Sequence, residues 1–149
     1  MKKYKSSIKI FPLWLILFLF ISGSRAYAID NSITLSLDNK VYSISLPDGW
    51  SIKNNGEYSE FLRGDIALGG YYTTIKSKVL ADYKLEEIST AIGSVGIYRN
   101  SNTGHDNKLY ALFSQKSDSP AIFLYTSEDT IERDKFILKM LLINIRPQE

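Results

Sequence analysis

The sequence predicts an α+β domain in which an antiparallel β-sheet, opening as an N-terminal meander of hairpins, packs against a long C-terminal helix and one shorter helix. Two observations lead to this fold class. After residue 28, apolar and polar residues alternate with period two, and tight-turn residues separate the runs. The stretch Ala121–Ile145 then joins an apolar strand run to the most hydrophobic helical segment outside the first 28 residues.

The first 28 residues have the three parts of a secretory signal peptide. Four lysines begin the segment, an apolar run of 12 residues (10–21) follows, and Ala26-Tyr27-Ala28 supplies a small-x-small cleavage site. An uncleaved anchor is the competing interpretation, but a spanning helix needs about 20 apolar residues and Pro12 interrupts this run. We therefore expect cleavage after Ala28, an extracytoplasmic location (periplasmic or secreted), and one α+β domain over residues 29–149 without a membrane span.

Removal of this leader reverses the net charge. Five of the 18 Lys and Arg residues lie in it and no acidic residue does, so 13 basic and 16 acidic residues remain and +2 becomes −3. A mildly acidic domain without a basic cluster lacks the electrostatic footprint of a nucleic-acid-binding protein. The chain has no Cys, which excludes disulfides, thiolate metal sites and cysteine nucleophiles. We expect neither a metal nor a cofactor.

The first predicted hairpin closes without conflict. A two-residue turn at Asp38-Asn39 places Leu35 opposite Tyr42, so that the apolar residues of both strands share one face. Pro47-Asp48-Gly49 then ends the second strand.

Two more turns continue the meander. A type I′ turn at Asn55-Gly56 sets Trp50 opposite Phe61. A second tight turn at Gly64-Asp65 sets Phe61 opposite Leu68, which gives one cross-strand apolar row.

These strands form one five-stranded antiparallel meander over residues 32–75, and Gly69-Gly70 in the last strand indicates a bulge or a close backbone approach. Apolar residues recur at helical spacing in the segment Lys76–Ile92, which predicts the shorter helix. A strand over Val95–Arg99 and a polar loop over Asn100–Asn107 follow.

The C-terminal part supplies the last hairpin and the long helix. Two aromatic and apolar strands, Lys108–Gln115 and Ala121–Thr126, are expected to pair. A Thr or Ser at positions 126 and 127 caps the helix, which runs to about Leu142. Its apolar density predicts that nearly all of its last two turns are buried, and Ile143–Ile145 could instead form a short closing strand.

Catalytic signals are sparse. His105, the only histidine, lies beside Asp106 and could act on a hydroxyl such as Ser101 or Ser114, but a solvated loop histidine is the favoured interpretation. Neighbouring carboxylates could form an acid–base pair but are better explained as solvated or helix-terminal groups, so no catalytic residue is assigned. They are Glu57 and Glu60, Glu86 and Glu87, and the group Glu128, Asp129 and Glu132. Arg63-Gly64-Asp65 matches the tripeptide of some adhesion ligands, but its Gly-Asp pair already suits a hairpin turn.

Aromatic residues give the best functional lead. A tyrosine ring is a rigid amphipathic contact, although on a strand it more often caps a core edge. The tyrosines in question are Tyr71, Tyr72, Tyr98, Tyr110 and Tyr125. We predict ligand or partner contacts at Trp50, Tyr71, Tyr72 and Tyr98.

Two segments resemble known families. Tyr42–Trp50 resembles the opening of PsbP-like domains, in which a strand ends in a Pro-x-Gly-Trp turn before an antiparallel sheet packed on helices. The second half is similar to small exported or membrane-tethered bacterial domains that are found beside beta-lactam-sensing antirepressor peptidases. The residues that carry this resemblance are Gly69-Gly-Tyr-Tyr72, Ile97-Tyr98, Leu109-Tyr110 and Ile122-Phe-Leu-Tyr125. Both resemblances imply a non-enzymatic assisting role.

The expected function is therefore an exported, non-enzymatic binding or accessory module that acts on an envelope protein or a small ligand. An inhibitor or immunity-type protein that blocks a partner enzyme belongs to the same class. A small exported hydrolase centred on His105 is the alternative from a different class.

Overall fold

Two antiparallel sheets and one helix make up the part of the chain that the structure describes. The structure is a computed structural model, and it describes residues 31–75, 83–100, 107–114, 116 and 118–149. In chain order the elements are β1 (Ser32–Leu37), β2 (Lys40–Ser45), β3 (Trp50–Asn54), β4 (Ser59–Arg63), β5 (Ile66–Tyr72), β6 (Tyr83–Thr90), β7 (Gly93–Arg99), β8 (Lys108–Leu112), β9 (Ala121–Tyr125), α1 (Ile131–Ile143) and β10 (Ile145–Pro147). The small sheet has the strand order β1-β2-β10, and the large sheet has the order β3-β4-β5-β9-β8-β7-β6. The predicted α+β class with antiparallel pairing is confirmed.

The small sheet begins with the hairpin that the sequence predicts. Asp38 and Asn39 have φ values of 47° and 64°, the left-handed values that both central residues of a type I′ turn require. Leu35 pairs with Tyr42, so the predicted register is confirmed. The closing strand β10 pairs with the other side of β2, starting two residues later than predicted because the helix continues to Ile143.

The next hairpin turns where predicted, but its register is different. Ile52, and not Trp50, lies opposite Phe61. The Asn54 side chain accepts a hydrogen bond of 2.8 Å from the Gly56 N–H, which stabilises a longer loop over residues 55–58 in place of a two-residue turn. The predicted register was wrong because this side-chain contact was not foreseen.

Gly64-Asp65 form the predicted two-residue turn between β4 and β5. Further along these strands a bulge leaves Leu68 without a partner, so that Phe61 lies opposite Gly69 and not opposite Leu68. The bulge beside Gly69-Gly70 confirms the irregularity expected there.

The five strands of residues 32–75 do not form one meander. Strands β1 and β2 belong to the small sheet, whereas β3, β4 and β5 join the large sheet through the pairing of β5 with β9. Each hairpin has one apolar face, and packing the two sheets on each other buries both faces at once. The Tyr71 hydroxyl crosses between the sheets and donates a hydrogen bond of 2.9 Å to the Thr34 carbonyl.

The predicted shorter helix over Lys76–Ile92 is wrong for its described part. Residues 83–90 form strand β6, which pairs with β7 at both of its ends and has one bulge at Leu85. Residues 76–82 lie outside the described residues. Helical spacing of a few apolar residues also fits a half-buried strand, and the pairing of Ile88 with buried Val95 favours the strand.

The C-terminal helix is shorter than predicted. It has 13 residues and begins at Ile131, after a turn in which the Ser127 N–H donates to the Thr130 hydroxyl. Residues 126 and 127 therefore do not cap it. Nor is the apolar end fully buried: the side chains of Phe136, Met140 and Ile143 are 62%, 43% and 52% exposed.

The main core lies between the large sheet and a layer that contains α1 and the small sheet. The helix contributes Leu138, Leu141 and Leu142 to this core. The two sheets contribute Ile33, Leu35, Ile44, Trp50, Phe61, Tyr71, Val95, Ile97, Leu109, Ile122 and Leu124, among others. All of the large-sheet members of this set project from one side, the core side, because paired residues of adjacent strands share a face.

The substitution Gly69→Ala tests the close contact between β5 and β9. A Cβ at Gly69 would lie 2.8 Å from Leu124 Cα and closer still to the Phe123 carbonyl oxygen. Because these neighbours are backbone atoms of a paired strand, we expect a loss of about 2–3 kcal/mol in the free energy of unfolding, measured by urea denaturation.

Gly56→Ala is the matched control. Gly56 has a φ of +82° but open space around its α-carbon, so the same change is expected to cost only about 1 kcal/mol of backbone strain. Equal losses in the two variants would contradict the close packing at Gly69.

Candidate functional site

The side of the large sheet opposite the core carries a cluster of aromatic residues. We call this side the aromatic face and define it by Tyr58, Tyr72, Tyr110, Phe123 and Tyr125. The strand register places these side chains together, because Phe123 of β9 pairs with Tyr110 of β8 on one side and with Gly70 of β5 on the other. The four tyrosines surround Phe123 across three adjacent strands and the β3–β4 loop.

Phe123 is the centre of this cluster. Its ring centroid lies 5.1 Å from that of Tyr72, 5.5 Å from Tyr58 and 5.6 Å from Tyr125. The contacts with Tyr58 and Tyr125 are edge-on, at interplanar angles of 65° and 80°, which is a favoured arrangement for aromatic pairs. Phe123 is completely buried, whereas Tyr58, Tyr72 and Tyr125 are half-buried and keep part of their surface in solvent.

Two glycines on this face leave room for rings. A Cβ at Gly70 would lie 2.8 Å from Phe123 Cζ and 2.8 Å from Tyr58 Cδ2. A Cβ at Gly96 would lie 2.5 Å from Tyr98 Cε2. Aromatic rings therefore lie close to the backbone at both positions, and a side chain at either glycine would displace them.

A cation lies over the cluster. Lys108 Nζ is 5.1 Å from the centroid of the Phe123 ring and 5.5 Å from that of the Tyr125 ring, within the range of cation–π attraction. Lys108 pairs directly with Tyr125 across β8 and β9, so the register fixes this contact. The aromatic face consequently presents tyrosine hydroxyls and one positive charge.

The electrostatic environment affects the tyrosines of β5. Burial, and to a smaller extent the neighbouring Tyr58 and Glu57, raises the pKa of Tyr72 above its ordinary value of 10.0. Burial alone raises the pKa of Tyr71. Both side chains therefore stay neutral near pH 7 and act as hydrogen-bonding phenols rather than phenolates.

The predicted site residues divide between the two sides of the large sheet. Tyr72 lies on the aromatic face, and Tyr98 lies on the same side because it pairs with Tyr110. Trp50 and Tyr71 lie on the core side, where they are 8% and 6% exposed. Their assignment as binding residues stays a prediction.

Three members of the site were missed by sequence reasoning. They are Phe123, Tyr58 and Lys108. Phe123 carried no individual signal, because the segment Ala121–Thr126 reads as a continuous apolar run. The parity of positions in β9 could have found Phe123, since Ala121, Phe123 and Tyr125 alternate with the core-facing residues of the strand. Tyr58 and Lys108 contact Phe123 from the β3–β4 loop and from β8, and no local pattern in the sequence indicates those contacts.

Other candidate groups lie outside the described residues or form ion pairs. His105, Ser101 and Asp106 lie outside the described residues. The Arg99 guanidinium hydrogen-bonds Glu128 and lowers the pKa of that carboxyl, and Lys84 does the same for Glu87. Within the described ranges, no three acidic, histidine or cysteine side chains lie close enough to share a metal ion.

No family model, curated protein or solved structure matches the chain. The two family resemblances therefore stay predictions. Across residues 31–149, as far as the structure describes them, no helix has the length and apolar character that crossing a membrane requires.

The raised pKa values predict a pH-dependent stability. A tyrosine whose pKa is higher in the folded than in the unfolded state contributes its full stability below about pH 10 and loses it as the pH rises through the folded-state pKa. We expect the free energy of unfolding, measured in urea from about pH 9 to about pH 11, to fall less steeply in Tyr72→Phe than in the wild type.

Tyr83→Phe is the control, because the Tyr83 side chain is 63% exposed. In this variant the free energy of unfolding should fall with rising pH as steeply as in the wild type. Identical slopes in Tyr72→Phe and the wild type would contradict the buried environment of the Tyr72 hydroxyl.

Proposed function

We propose that the protein is an exported, non-enzymatic binding module whose aromatic face contacts a protein partner in the cell envelope. The observation that carries this proposal is the aromatic cluster around Phe123, on the side of the large sheet opposite α1 and the small sheet. Export rests on the leader predicted over residues 1–28.

The aromatic face is separate from the main core. Phe123 and Tyr110 are buried, but neither belongs to the cluster formed by the helix and the two sheets. The half-buried Tyr58, Tyr72 and Tyr125 keep surface available for contact. Tyrosine loses little conformational entropy on binding and combines an apolar ring with a polar tip, which explains its enrichment in binding hot spots.

Charged residues of both signs flank the aromatic cluster. The register places Lys53 and Glu60 on the same side of the sheet at the β3–β4 edge. It places Lys84 and Glu87 on this side at the opposite edge, in β6. An aromatic centre with a charged rim is the usual anatomy of a protein interface. This arrangement favours a protein partner over a small ligand.

The accessory role agrees with the resemblances noted in Tyr42–Trp50 and in the second half of the chain. The hydrolase alternative has no described contact in its favour, because His105 lies outside the described residues.

Site-specific photocrosslinking tests this proposal. Benzoylphenylalanine is introduced at Tyr98 or Tyr125 on the aromatic face, in intact cells of the source organism, so that one aromatic side chain replaces another. Both positions are expected to give an adduct of the same additional mass. With that partner purified, Tyr125→Ala should raise the dissociation constant at least about tenfold, as expected for a hot-spot residue.

The controls are Ile66 and Phe136, which are 67% and 62% exposed but lie away from the aromatic cluster. Crosslinker at these positions should give no such adduct. An adduct formed only at Phe136, or none at Tyr98 and Tyr125 in cells that contain the folded protein, would contradict the assignment of the aromatic face.

A further inference from the structure

A cleft opens between the small sheet and the large sheet, at the end where the β1–β2 turn meets the β8–β9 connection. Its volume is about 660 Å³, within the usual range of small-molecule sites. None of the five residues that define the aromatic face lines it. The cleft is therefore a second candidate site, whose occupancy does not depend on the proposed function.

The lining of the cleft is mostly polar and includes two aromatic side chains. Tyr42 from the small sheet and Phe113, the residue after β8, both line it, and both are half-buried against the main core. Each lies on the side of its own sheet that faces the other sheet: Tyr42 pairs with core-facing Leu35, and Phe113 continues the parity of Leu109 and Ala111. These two rings are the aromatic groups among the residues that line the cleft.

Ser114 and Ser119 provide hydroxyl groups to the lining of the cleft. The Ser114 hydroxyl oxygen accepts a hydrogen bond of 3.2 Å from the Lys116 N–H, which leaves its own proton free to be donated. Ser119 is only 5% exposed, and its described hydrogen bond to the Pro120 carbonyl is 3.5 Å long, at the outer limit for such a bond. A buried hydroxyl with so weak a partner gains most from a ligand hydrogen bond.

The charges at the cleft balance. Lys40 and Lys116 are offset by Asp38 and Asp118, and no ion pair described for the protein includes any of the four. Lys40 lies on the inward side of β2, since it pairs with Leu37 and shares its parity with Tyr42. The cleft thus offers ammonium donors and carboxylate acceptors without net attraction for an anion or a cation.

We propose that this cleft binds a neutral saccharide of one or two rings. Each sugar hydroxyl both donates and accepts hydrogen bonds, which matches the mixture of serine, lysine and aspartate groups. The apolar C–H face of a sugar ring packs well on an aromatic ring such as that of Tyr42 or Phe113, both of which line the cleft. A neutral, hydroxyl-rich ring is the ligand chemistry that fits both the balanced charge and these aromatic side chains.

An NMR titration of the purified protein tests this inference. The neutral probes are cellobiose and N,N′-diacetylchitobiose, and the anionic comparison is glucose 6-phosphate. At least one neutral disaccharide is expected to give saturable amide shifts, with a dissociation constant of about 1 mM or below. These shifts should map to the cleft, including Tyr42, Phe113 and Ser119. A hexasaccharide that binds more tightly than its disaccharide identifies a glycan polymer as the source, and equal affinity identifies a free sugar.

Lys40→Ala is the test variant and Arg63→Ala the control. Both basic side chains are exposed, but Arg63 lies at the end of β4 and does not line the cleft. Lys40→Ala should raise the dissociation constant about tenfold through the loss of a charged hydrogen bond, and Arg63→Ala should not change it. The inference is overturned if no neutral sugar gives shifts up to about 10 mM, if the shifts lie outside the cleft, if Lys40→Ala binds normally, or if glucose 6-phosphate binds more tightly.

Discussion

The pairing of β5 with β9 is the contact on which the large sheet depends. It joins the meander β3-β4-β5 to the meander β6-β7-β8-β9, although the two strands are separated by β6, β7 and β8 in the chain. Gly69 and Gly70 allow this contact, because a Cβ at either position would collide with Phe123 or its neighbours. Glycine has a lower strand propensity than other residues, but because it has no side chain it permits a close approach of β5 and β9 that other residues would block.

The same contact separates two functions of the sheet. On the core side, Leu124 and Tyr71 contribute to the main core. On the other side, Phe123 lies over Gly70 and organises the tyrosines around it. Because strand residues alternate between sides, β9 supplies both the core and the aromatic face from five consecutive residues. The proposed binding surface is therefore attached to one of the most deeply packed strands of the protein.

Local signals in the sequence predicted the first hairpin, including the pairing of Leu35 with Tyr42, because a two-residue turn determines its register. They failed over residues 83–90, because the spacing of the apolar residues fits a helix as well as a strand and the two-residue turn at Ala91-Ile92 that pairs this strand with β7 was not recognised. Of the four contact residues predicted from the sequence, Tyr72 and Tyr98 lie on the aromatic side of the large sheet, whereas the buried Trp50 and Tyr71 lie on the core side. When both sides of a strand are apolar, the residue type alone does not reveal on which side of the sheet an aromatic ring lies.

Amide hydrogen exchange across β5 and β9 tests most directly whether the two meanders form one sheet. If they do, the protected amides of residues 69–72 and 121–124 exchange only through global unfolding, with the same free energy that urea denaturation gives for the whole protein. Exchange of these amides through a smaller local opening, while β7 and β8 stay protected, would contradict a continuous sheet and a permanent aromatic face.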